Sequence, residues 1–547
     1  MCDPGKNLIN ALSVRCCMSE ESQFWADQLA ADIISRKETK YTAKPVASPA
    51  VFTVKTSASL SGVLHLGRLS DTIRGDTLRN ALSDAGVKAR LIWVAEDTDP
   101  LRKIPEGVPD SFSKFLGMPV TQVPDPLGRA GNYADGFKKD YFEVIDQFVS
   151  EPMERFSMAD EYAKGSFTQE IQALMQSMAQ VREILGRYQD NLAPDWTPWV
   201  PVCQNCGKVA TPKVLSVSKD AVEYVCEDYR FESTIATGCG HKGTAVPGKD
   251  PGKLRWKSEW AAQWKHWQIS AEGAGKEYIV PNSAFWVNAE ISERVLDYPS
   301  PVPMFYEHLM IDNEKMSASK GNVIYPSDWL KVASSDLLRF FYNKRLMKTR
   351  SFSWKDLAVL YDDFDAVRKA AAQAEAQSHD ARLVALSVME YSYVPPFTFS
   401  HAALVGQLAE DDAGRAAILE KTGHFDDANR DAILDRVAKA QAWVQLHAPD
   451  QKLELQESAD GVLLTDQQRQ ALLLLADALG RQDWDEEGIF AECYHIIREQ
   501  VKMQPGDFFK AAYQVLLRKD RGPRLAPFLL AVGREKAAAI LSTANKQ

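Results

Sequence analysis

One stretch of the sequence restricts the fold more than any other, because residues 51–96 alternate between strand and helix patterns. The run Val51–Val54 predicts a short strand, and RLIWVAE at 90–96 predicts a second one. Between them, a glycine-containing loop leads into a helical apolar pattern that extends from about His65 to Leu82. A helical crossover of this length joins two parallel strands. The sequence therefore predicts an α/β fold with a Rossmann-type parallel sheet.

The loop and helix start, SGVLHLGR, form the first motif with chemical meaning. A helix N-terminus presents unpaired N–H groups and a partial positive charge, both of which suit phosphate. Gly62 would permit a tight turn, and Gly67 would let a nucleotide approach the backbone. His65 and Arg68 could donate hydrogen bonds to phosphate oxygens. A helix cap beside an unrelated histidine is the alternative interpretation of these eight residues.

The segment EKMSASKGN at 314–322 is the second motif, in which Lys315 and Lys320 flank Ser317 and Ser319. The chain has no G-x-x-x-x-G-K-[ST] sequence, so any ATP would be bound without a P-loop. A loop with two lysines could close over a triphosphate at SGVLHLGR and neutralise charge as pyrophosphate leaves. A solvated surface loop is the alternative, and the presence of the first motif disfavours it.

Four of the eight cysteines are clustered, which predicts a metal site rather than a disulfide scaffold. Cys203 and Cys206 form a CxxC pair, and Cys226 and Cys239 follow. Four thiolates suit tetrahedral Zn²⁺, and CxxC supplies two of them from one turn. We therefore predict structural zinc, with His241 as a possible alternative ligand and a metal-free ribbon as the competing interpretation.

The 547 residues exceed a single ordinary core, so several domains are expected. The net charge of −10 excludes a uniformly basic surface but leaves room for a local basic face. No apolar run reaches ~18 residues and no secretory signal begins the chain, which predicts a cytoplasmic protein without a membrane partner. Further sheet strands are expected at EYIV (277–280) and MFYEHLMI (304–311). The expected regions are 1–18 as a disordered extension, 19–200 as the first half of the Rossmann domain with a helical insertion, 201–245 as a zinc-ribbon-like insertion, 246–350 as the second half with the EKMSASKGN loop, and 351–547 as an all-α domain.

The two motifs, HLGR and KMSASK, resemble the two signatures of class I aminoacyl-tRNA synthetases. Four longer segments resemble the class I lysyl-tRNA synthetases in the same order along the chain. They are FWADQLA (24–30), EDTDPLRKIPEGVPDSFSKFLGMPV (96–120), LRWKSEWAAQW (254–264) and FFKAAYQVLLRKDRGPRLAPFLLAVGREK (508–536). The resemblance spans about residues 20–540.

The resemblance implies that lysine and ATP give lysyl-adenylate, with Mg²⁺ on the phosphates, and that the lysyl group passes to tRNA. It implies a monomer whose C-terminal helices bind the anticodon stem. Catalytic roles would fall to His65, Arg68, Lys315 and Lys320. ATP contacts would come from Gly62, His65, Gly67, Arg68, Lys315, Ser317, Ser319 and Lys320. Amino-acid contacts would come from Ser57, Ser59, Asp71 and Tyr278.

The amino-acid pocket departs from the family pattern. The chain has SASLSG at 57–62 where the family has Gly-x-Thr-Pro-Ser-Gly, and Asp71 where it has glutamate. A pocket for lysine must pair or hydrogen-bond the buried ammonium. Asp71 keeps a negative charge, Tyr278 could donate or accept, and Phe285 and Trp286 offer only ring faces. Three interpretations stay open: a lysine enzyme, a ligase of the same fold for another amino acid, and a non-catalytic tRNA-binding protein.

Overall fold

The computed structural model describes residues 24–60, 63–104, 108–218, 221–316, 322–409 and 411–546. These residues divide into two compact units. The first comprises residues up to His308 with 342–348 and 367–387, and the second comprises 309–341, 349–366 and 388 onward. Among the helices of these ranges, none combines the length and apolar character that a membrane crossing requires.

The strands and helices are numbered here in chain order. The strands are β1 (Phe52–Ser59), β2 (Ala89–Glu96), β3 (Glu154–Ser157), β4 (Trp199–Pro201), β5 (Pro212–Val217), β6 (Val222–Cys226), β7 (Tyr229–Arg230), β8 (Ile235–Ala236), β9 (Lys242–Ala245), β10 (Gly252–Leu254), β11 (Ile269–Gly275), β12 (Val302–Tyr306), β13 (Leu309–Ile311), β14 (Glu314–Lys315) and β15 (Arg350–Phe352). The helices are α1 (Trp25–Ser35), α2 (Leu66–Asp84), α3 (Tyr133–Phe142), α4 (Met158–Ala163), α5 (Thr168–Gln176), α6 (Met178–Tyr188), α7 (Trp256–Trp267), α8 (Ala284–Arg294), α9 (Pro326–Val332), α10 (Ser335–Asn343), α11 (Leu357–Ala371), α12 (His379–Ala385), α13 (Phe399–Leu408), α14 (Asp412–Lys421), α15 (Arg430–His447), α16 (Asp466–Arg481), α17 (Glu486–His495), α18 (Pro505–Leu517), α19 (Leu525–Val532) and α20 (Arg534–Ser542).

A parallel sheet of five strands in the order β12-β11-β1-β2-β3 forms the centre of the first unit. Helix α2 connects β1 to β2, so the predicted strand–helix–strand unit and the Rossmann-type sheet are confirmed. The helix packs tightly on the sheet at Gly75, where a Cβ atom would lie 2.6 Å from a methyl group of Thr56. Because the five strands are parallel, their carboxyl ends lie at one edge of the sheet, beside the start of α2. Ligands bind at this edge in sheets of this kind.

Two strand predictions need correction. The first strand does not end at Val54 but continues to Ser59, because it is central and pairs with strands on both sides. Ser57 and Ser59 therefore belong to the strand and not to the loop. The strand predicted at 277–280 is wrong, since a short 3₁₀ turn begins at Lys276, and the sheet strand is instead β11. The prediction at 304–311 is confirmed for the part in β12, whereas β13 is a strand of a separate sheet with β14 and β15.

The cysteine-rich insertion is a small antiparallel structure within the first unit. Strands β5, β6 and β9 form one sheet, and β7 and β8 form a separate hairpin. The antiparallel pairing of β4 with β10 brings the two ends of this insertion together.

From α11 onward the described chain contains helices and no strand, so the predicted helical C-terminal region is confirmed. Its core is formed by apolar side chains such as Leu475, Ile496, Phe508 and Leu516. Helix α17 continues directly into a turn of π-helix at Ile496–Val501.

Candidate active site

His65 is the N-cap of α2, the position that a phosphate-binding helix start would use. Its Nδ1 accepts a hydrogen bond from the Gly67 N–H at 3.0 Å, and its ring is half-buried. Because Nδ1 is the acceptor, the proton of the neutral ring lies on Nε2, which is then a donor. The cap interpretation and the phosphate interpretation are therefore compatible. Arg68 is exposed one turn into the helix, and Gly62 lies outside the described residues.

Lys315 lies at the end of a hairpin in the second unit. Strand β14 pairs with β13 through Met310 and Lys315, and the turn between the strands uses positive φ angles at Asp312 and Asn313. Lys315 is exposed, and its carbonyl oxygen accepts a hydrogen bond from Asn322 Nδ2 at 3.2 Å. This bond joins the two sides of the motif. Ser317, Ser319 and Lys320 lie outside the described residues.

Asp71 is a buried carboxylate on α2 that faces the carboxyl edge of the sheet. One oxygen, Oδ2, accepts a hydrogen bond from the Ser57 N–H at 3.4 Å, while Oδ1 is buried without a hydrogen-bond partner. Burial and, next, the charge of Glu272 raise the pKa of Asp71 to about 7. A Cβ atom at Gly273 would lie only 1.9 Å from Oδ1, so the carboxylate contacts bare backbone of β11. A cationic group of a ligand beside Asp71 would stabilise the ionised carboxylate, which burial disfavours.

Beneath Asp71, the sheet contains a buried network of ionisable groups that the sequence did not predict. The ammonium of Lys55 lies 2.7 Å from Glu272 and 4.0 Å from Glu96. Trp264 Nε1 donates to Glu272 at 2.8 Å, and Gln263 donates to both oxygens of Glu96 at 3.2 Å. Burial and then the charge of Glu259 raise the pKa of Glu96 to about 8, so this carboxyl group is mostly protonated at neutral pH.

Aromatic side chains lie against Arg74, whose charge acts on Asp71. The guanidinium of Arg74 lies over the rings of Tyr306 and Tyr342, at 4.8 and 5.1 Å from their centroids. Tyr278 is half-buried and contacts the Trp260 ring at 5.2 Å. Burial and then the charge of Glu277 raise the pKa of Tyr278, which keeps its hydroxyl group neutral. The rings of Tyr306 and Tyr342 therefore already contact a cation, Arg74, and the group left for a ligand is the incompletely bonded carboxylate of Asp71.

The two serines predicted in this pocket differ in their surroundings. Ser57 reaches Asp71 through its backbone N–H. Ser59 Oγ donates to Asp99 at 3.0 Å, and Asp99 in turn accepts from Lys253 at 2.7 Å. Although burial alone would raise the pKa of Asp99, Lys253 lowers it below its ordinary value. Ser59 therefore belongs to an ion-pair network next to the pocket.

The four predicted cysteines lie together. The Sγ atoms of Cys203, Cys206, Cys226 and Cys239 lie within 4.8 Å of one another. The pairs Cys203–Cys239 and Cys206–Cys226 are separated by 3.6 Å, close to the sulfur–sulfur spacing around a tetrahedral zinc with bonds of about 2.3 Å. Four thiols complete the set, so a ligand from His241 is not needed.

Comparison with known proteins shows the family of this chain. Residues 23–390 match the family described as tRNA synthetases class I (K). The lysine–tRNA ligase of Methanosphaera stadtmanae is 27% identical over 94% of this chain and 98% of its own length. That of Haloarcula marismortui is 33% identical over 94% of this chain and 95% of its own length. Among solved structures, a glutamate tRNA ligase from Elizabethkingia meningosepticum is similar with a TM-score of 0.41 and 12% identity, covering 90% of this chain and 98% of that one. The chain belongs to the class I lysyl-tRNA synthetase family.

Proposed function

We propose that this chain activates lysine with ATP and transfers it to the tRNA for lysine. The lysine carboxylate attacks the α-phosphorus of ATP, and pyrophosphate leaves. A ribose hydroxyl of the terminal nucleotide of tRNA then attacks the carbonyl carbon, and AMP leaves. The protein supplies no nucleophile, so its residues act by positioning and by stabilising charge.

The observation that carries this proposal is the buried carboxylate of Asp71, whose Oδ1 has no hydrogen-bond partner. Its neighbours in the sheet are already balanced, because Lys55 pairs with Glu272 at 2.7 Å. Lys55 and Arg74 already act on Asp71 through their charges. What Oδ1 lacks is a hydrogen-bond donor, and the side-chain ammonium of lysine would supply a donor that is also positively charged. An amino acid without a donor in its side chain would leave Oδ1 buried without a hydrogen bond, which is costly.

ATP would lie with its phosphates at the start of α2. The helix N-terminus and the Nε2 proton of His65 support this position, as does the exposed guanidinium of Arg68. Lys315 and Lys320 would approach the phosphates from the second motif, and Mg²⁺ would offset phosphate charge. Their closing movement remains a prediction from the motif.

The cysteine cluster would hold a structural Zn²⁺. Support comes from the four sulfur atoms and their spacing, together with the small size of the sheets around them. In such sites the metal fixes the chain where an apolar core is too small to do so. No step of the reaction is assigned to this metal.

The helices of the second unit would contact the tRNA anticodon stem. Residues 498–536 carry nine lysines and arginines against four aspartates and glutamates, in a chain whose net charge is −10. A cavity of about 240 Å³ in this region is lined by Phe490, Tyr494 and Phe509, with Arg524 among its lining residues. Aromatic faces beside a cation suit unpaired bases. A monomeric, cytoplasmic enzyme is part of the same proposal.

The test is ATP–pyrophosphate exchange with each amino acid in turn, with and without tRNA, followed by charging of tRNA. We expect exchange and charging with lysine. Exchange with a different amino acid would refute the assignment to lysine. Its absence with every amino acid, in folded protein containing one zinc per chain, would favour a non-catalytic tRNA-binding protein.

A further inference from the structure

A buried ion pair is hydrogen-bonded to Ser59, one of the two serines at the carboxyl end of β1. Asp99 follows β2, and its Oδ1 accepts a hydrogen bond from the Lys253 ammonium at 2.7 Å. Its other oxygen, Oδ2, accepts a hydrogen bond from Ser59 Oγ at 3.0 Å. Both members of the ion pair are no more than 9% exposed. The three groups form a chain from β10, at the end of the cysteine-rich insertion, to the sheet edge that carries the proposed lysine pocket.

The charges of this ion pair are fixed by its surroundings. Burial alone would raise the pKa of Asp99, but the charge and hydrogen bond of Lys253 hold it below its ordinary value. Burial alone would lower the pKa of Lys253, but the charges of Asp99 and Glu259 raise it. Glu259 Oε2 lies 3.3 Å from the ammonium. At neutral pH, Asp99 is therefore a carboxylate that can only accept hydrogen bonds, and Lys253 is an ammonium that can only donate them.

The ion pair decides the direction of the hydrogen bond that Ser59 makes. A serine hydroxyl rotates to suit its partner, with one proton to donate and two lone pairs that accept. Because Asp99 is ionised, the Ser59 hydroxyl must donate its one proton to Oδ2. Any further partner of Ser59 Oγ therefore meets an acceptor and never a donor. A hydroxyl held in this way suits an N–H group of a ligand.

Ser59 lies where a ligand of the proposed lysine pocket can reach it. Ser57 and Ser59 are half-buried, whereas the six other residues of β1 are buried. Alternate residues of a strand lie on the same face, so the two serine side chains point to one side of the sheet. The Ser57 N–H contacts Asp71, and Ser59 lies about 6.6 Å nearer the carboxyl edge, at ~3.3 Å per residue. The two ammonium groups of lysine are separated by its four-carbon side chain. A lysine that binds Asp71 through one of them can therefore bring the other to Ser59.

We infer that Asp99 and Lys253 are positioning residues that hold Ser59 as the hydrogen-bond acceptor for the α-ammonium of lysine, which rests on the proposed function. They touch no substrate themselves and act through the Ser59 hydroxyl. If Asp99 were not ionised, the hydroxyl proton could turn toward the pocket, where two donors would then face each other. The ion pair therefore contributes to the affinity for lysine and not to the affinity for ATP.

The substitution Asp99→Asn tests this role because it keeps the shape of the side chain and reverses one hydrogen bond. The Lys253 ammonium requires an acceptor, so the amide oxygen takes the place of Oδ1 and the amide N–H group faces Ser59 Oγ. Lys253→Met is the second variant, because burial without the ammonium favours a protonated Asp99 that can donate to Ser59. Each change is made with and without Ser59→Ala. The KM values for lysine and for ATP are then measured in pyrophosphate exchange, after thermal unfolding has established that each variant is folded.

Asp97→Asn is the matched control. Asp97 is also a buried aspartate that accepts hydrogen bonds from a lysine and a serine. Lys138 lies 3.2 Å from its Oδ2, and Ser157 Oγ donates to the same oxygen at 2.7 Å. Ser157 is the last residue of β3 and not of β1, so this second set does not include Ser59.

We expect Asp99→Asn and Lys253→Met each to raise KM for lysine by about 10- to 150-fold, the effect of losing one hydrogen bond to a charged group. KM for ATP should stay unchanged. When Ser59→Ala is present, neither change should raise KM for lysine further, because the group through which they act is gone. Asp97→Asn should alter neither KM value. An effect of the same size with and without Ser59→Ala, a rise in KM for both substrates, or an unchanged KM for lysine would overturn the inference.

Pyrophosphate exchange by the unchanged protein separates this inference from the proposed function. If the unchanged protein exchanges with lysine while Asp99→Asn keeps the same KM for lysine, the positioning role alone is wrong. If the unchanged protein shows no exchange with lysine, the proposed function itself is wrong, and the positioning role falls with it.

Discussion

The substitution Asp71→Asn should stabilise the lysine-free protein and abolish its activity with lysine. The pKa of Asp71 rises from an ordinary 3.8 to about 7 on folding, chiefly because the group is buried. A carboxyl group whose pKa is raised on folding disfavours the folded state increasingly as pH rises from the unfolded pKa to the folded one. Above pH 7 the ionised form therefore costs about 4 kcal/mol, at ~1.4 kcal/mol per pKa unit.

The same linkage fixes how the effect depends on pH. At pH 5 the carboxyl group of Asp71 is protonated in the folded state, and its burial reduces the free energy of unfolding by only about 1.7 kcal/mol. This reduction grows by about 2.5 kcal/mol between pH 5 and pH 8. Asparagine removes the ionisation, while its side-chain carbonyl oxygen can still accept the hydrogen bond from the Ser57 N–H. We therefore expect Asp71→Asn to raise the thermal unfolding midpoint of lysine-free protein more at pH 8 than at pH 5.

Activity should change in the opposite direction. Removing one partner of a buried ion pair costs about 3–5 kcal/mol, so kcat/KM for lysine in pyrophosphate exchange should fall by about 10²-fold or more. Asp32→Asn, which alters an exposed carboxylate of the first unit, is the matched control and should change neither quantity. A stability shift that is the same at both pH values, or full activity in Asp71→Asn, would refute the role given to this carboxylate.

Four further substitutions test other parts of the site. Gly273→Ala would place a methyl group where Asp71 Oδ1 now lies 1.9 Å away, and should lower lysine-dependent exchange by about 10-fold or more while circular dichroism stays unchanged. Lys55→Met should destabilise the protein by about 3–5 kcal/mol in thermal unfolding, and the added change Glu272→Met should recover most of that loss. Cys226→Ser should bring zinc well below one per chain in metal analysis and lower the unfolding temperature, whereas one retained zinc would contradict the four-sulfur site. Lys315→Ala should slow pyrophosphate exchange by about 10²-fold at unchanged thermal stability, because the side chain is exposed.

The elements that sequence reasoning found are those whose physics is local. Helix α2 repeats its apolar pattern with a period of 3.6 residues over five turns. The metal site is recognisable because the CxxC sequence supplies two ligands from one turn. Strand β11 was missed because ISAEGAG is rich in small residues and contains a glutamate, a composition that lacks the usual strand pattern. Its burial comes from packing that only the folded chain creates.

The charged network was missed for a related reason. Lys55 and Glu272 are 217 positions apart in the chain, yet they are aligned in the register between β1 and β11. Each residue alone would be taken as an exposed position that interrupts an apolar strand. Sequence alone could have signalled the network through charged residues inside strands that must be buried on both faces, which is rare unless they pair.

The network also explains why a shorter carboxylate can serve in a lysine pocket. Glu272 is neutralised by Lys55, and Glu96, with a pKa of about 8, is mostly protonated at neutral pH. Asp71 is then the carboxylate of this group whose ionisation depends on a ligand, because its pKa of about 7 lies at neutral pH. A bound ammonium would lower that pKa. The carboxyl group of Asp71 would therefore be partly ionised before lysine binds and fully ionised once lysine is bound. The aspartate fits because Oδ1 already touches the backbone at Gly273, where a longer side chain would collide with β11. The departure from the family pattern at position 71 is therefore consistent with selection of lysine.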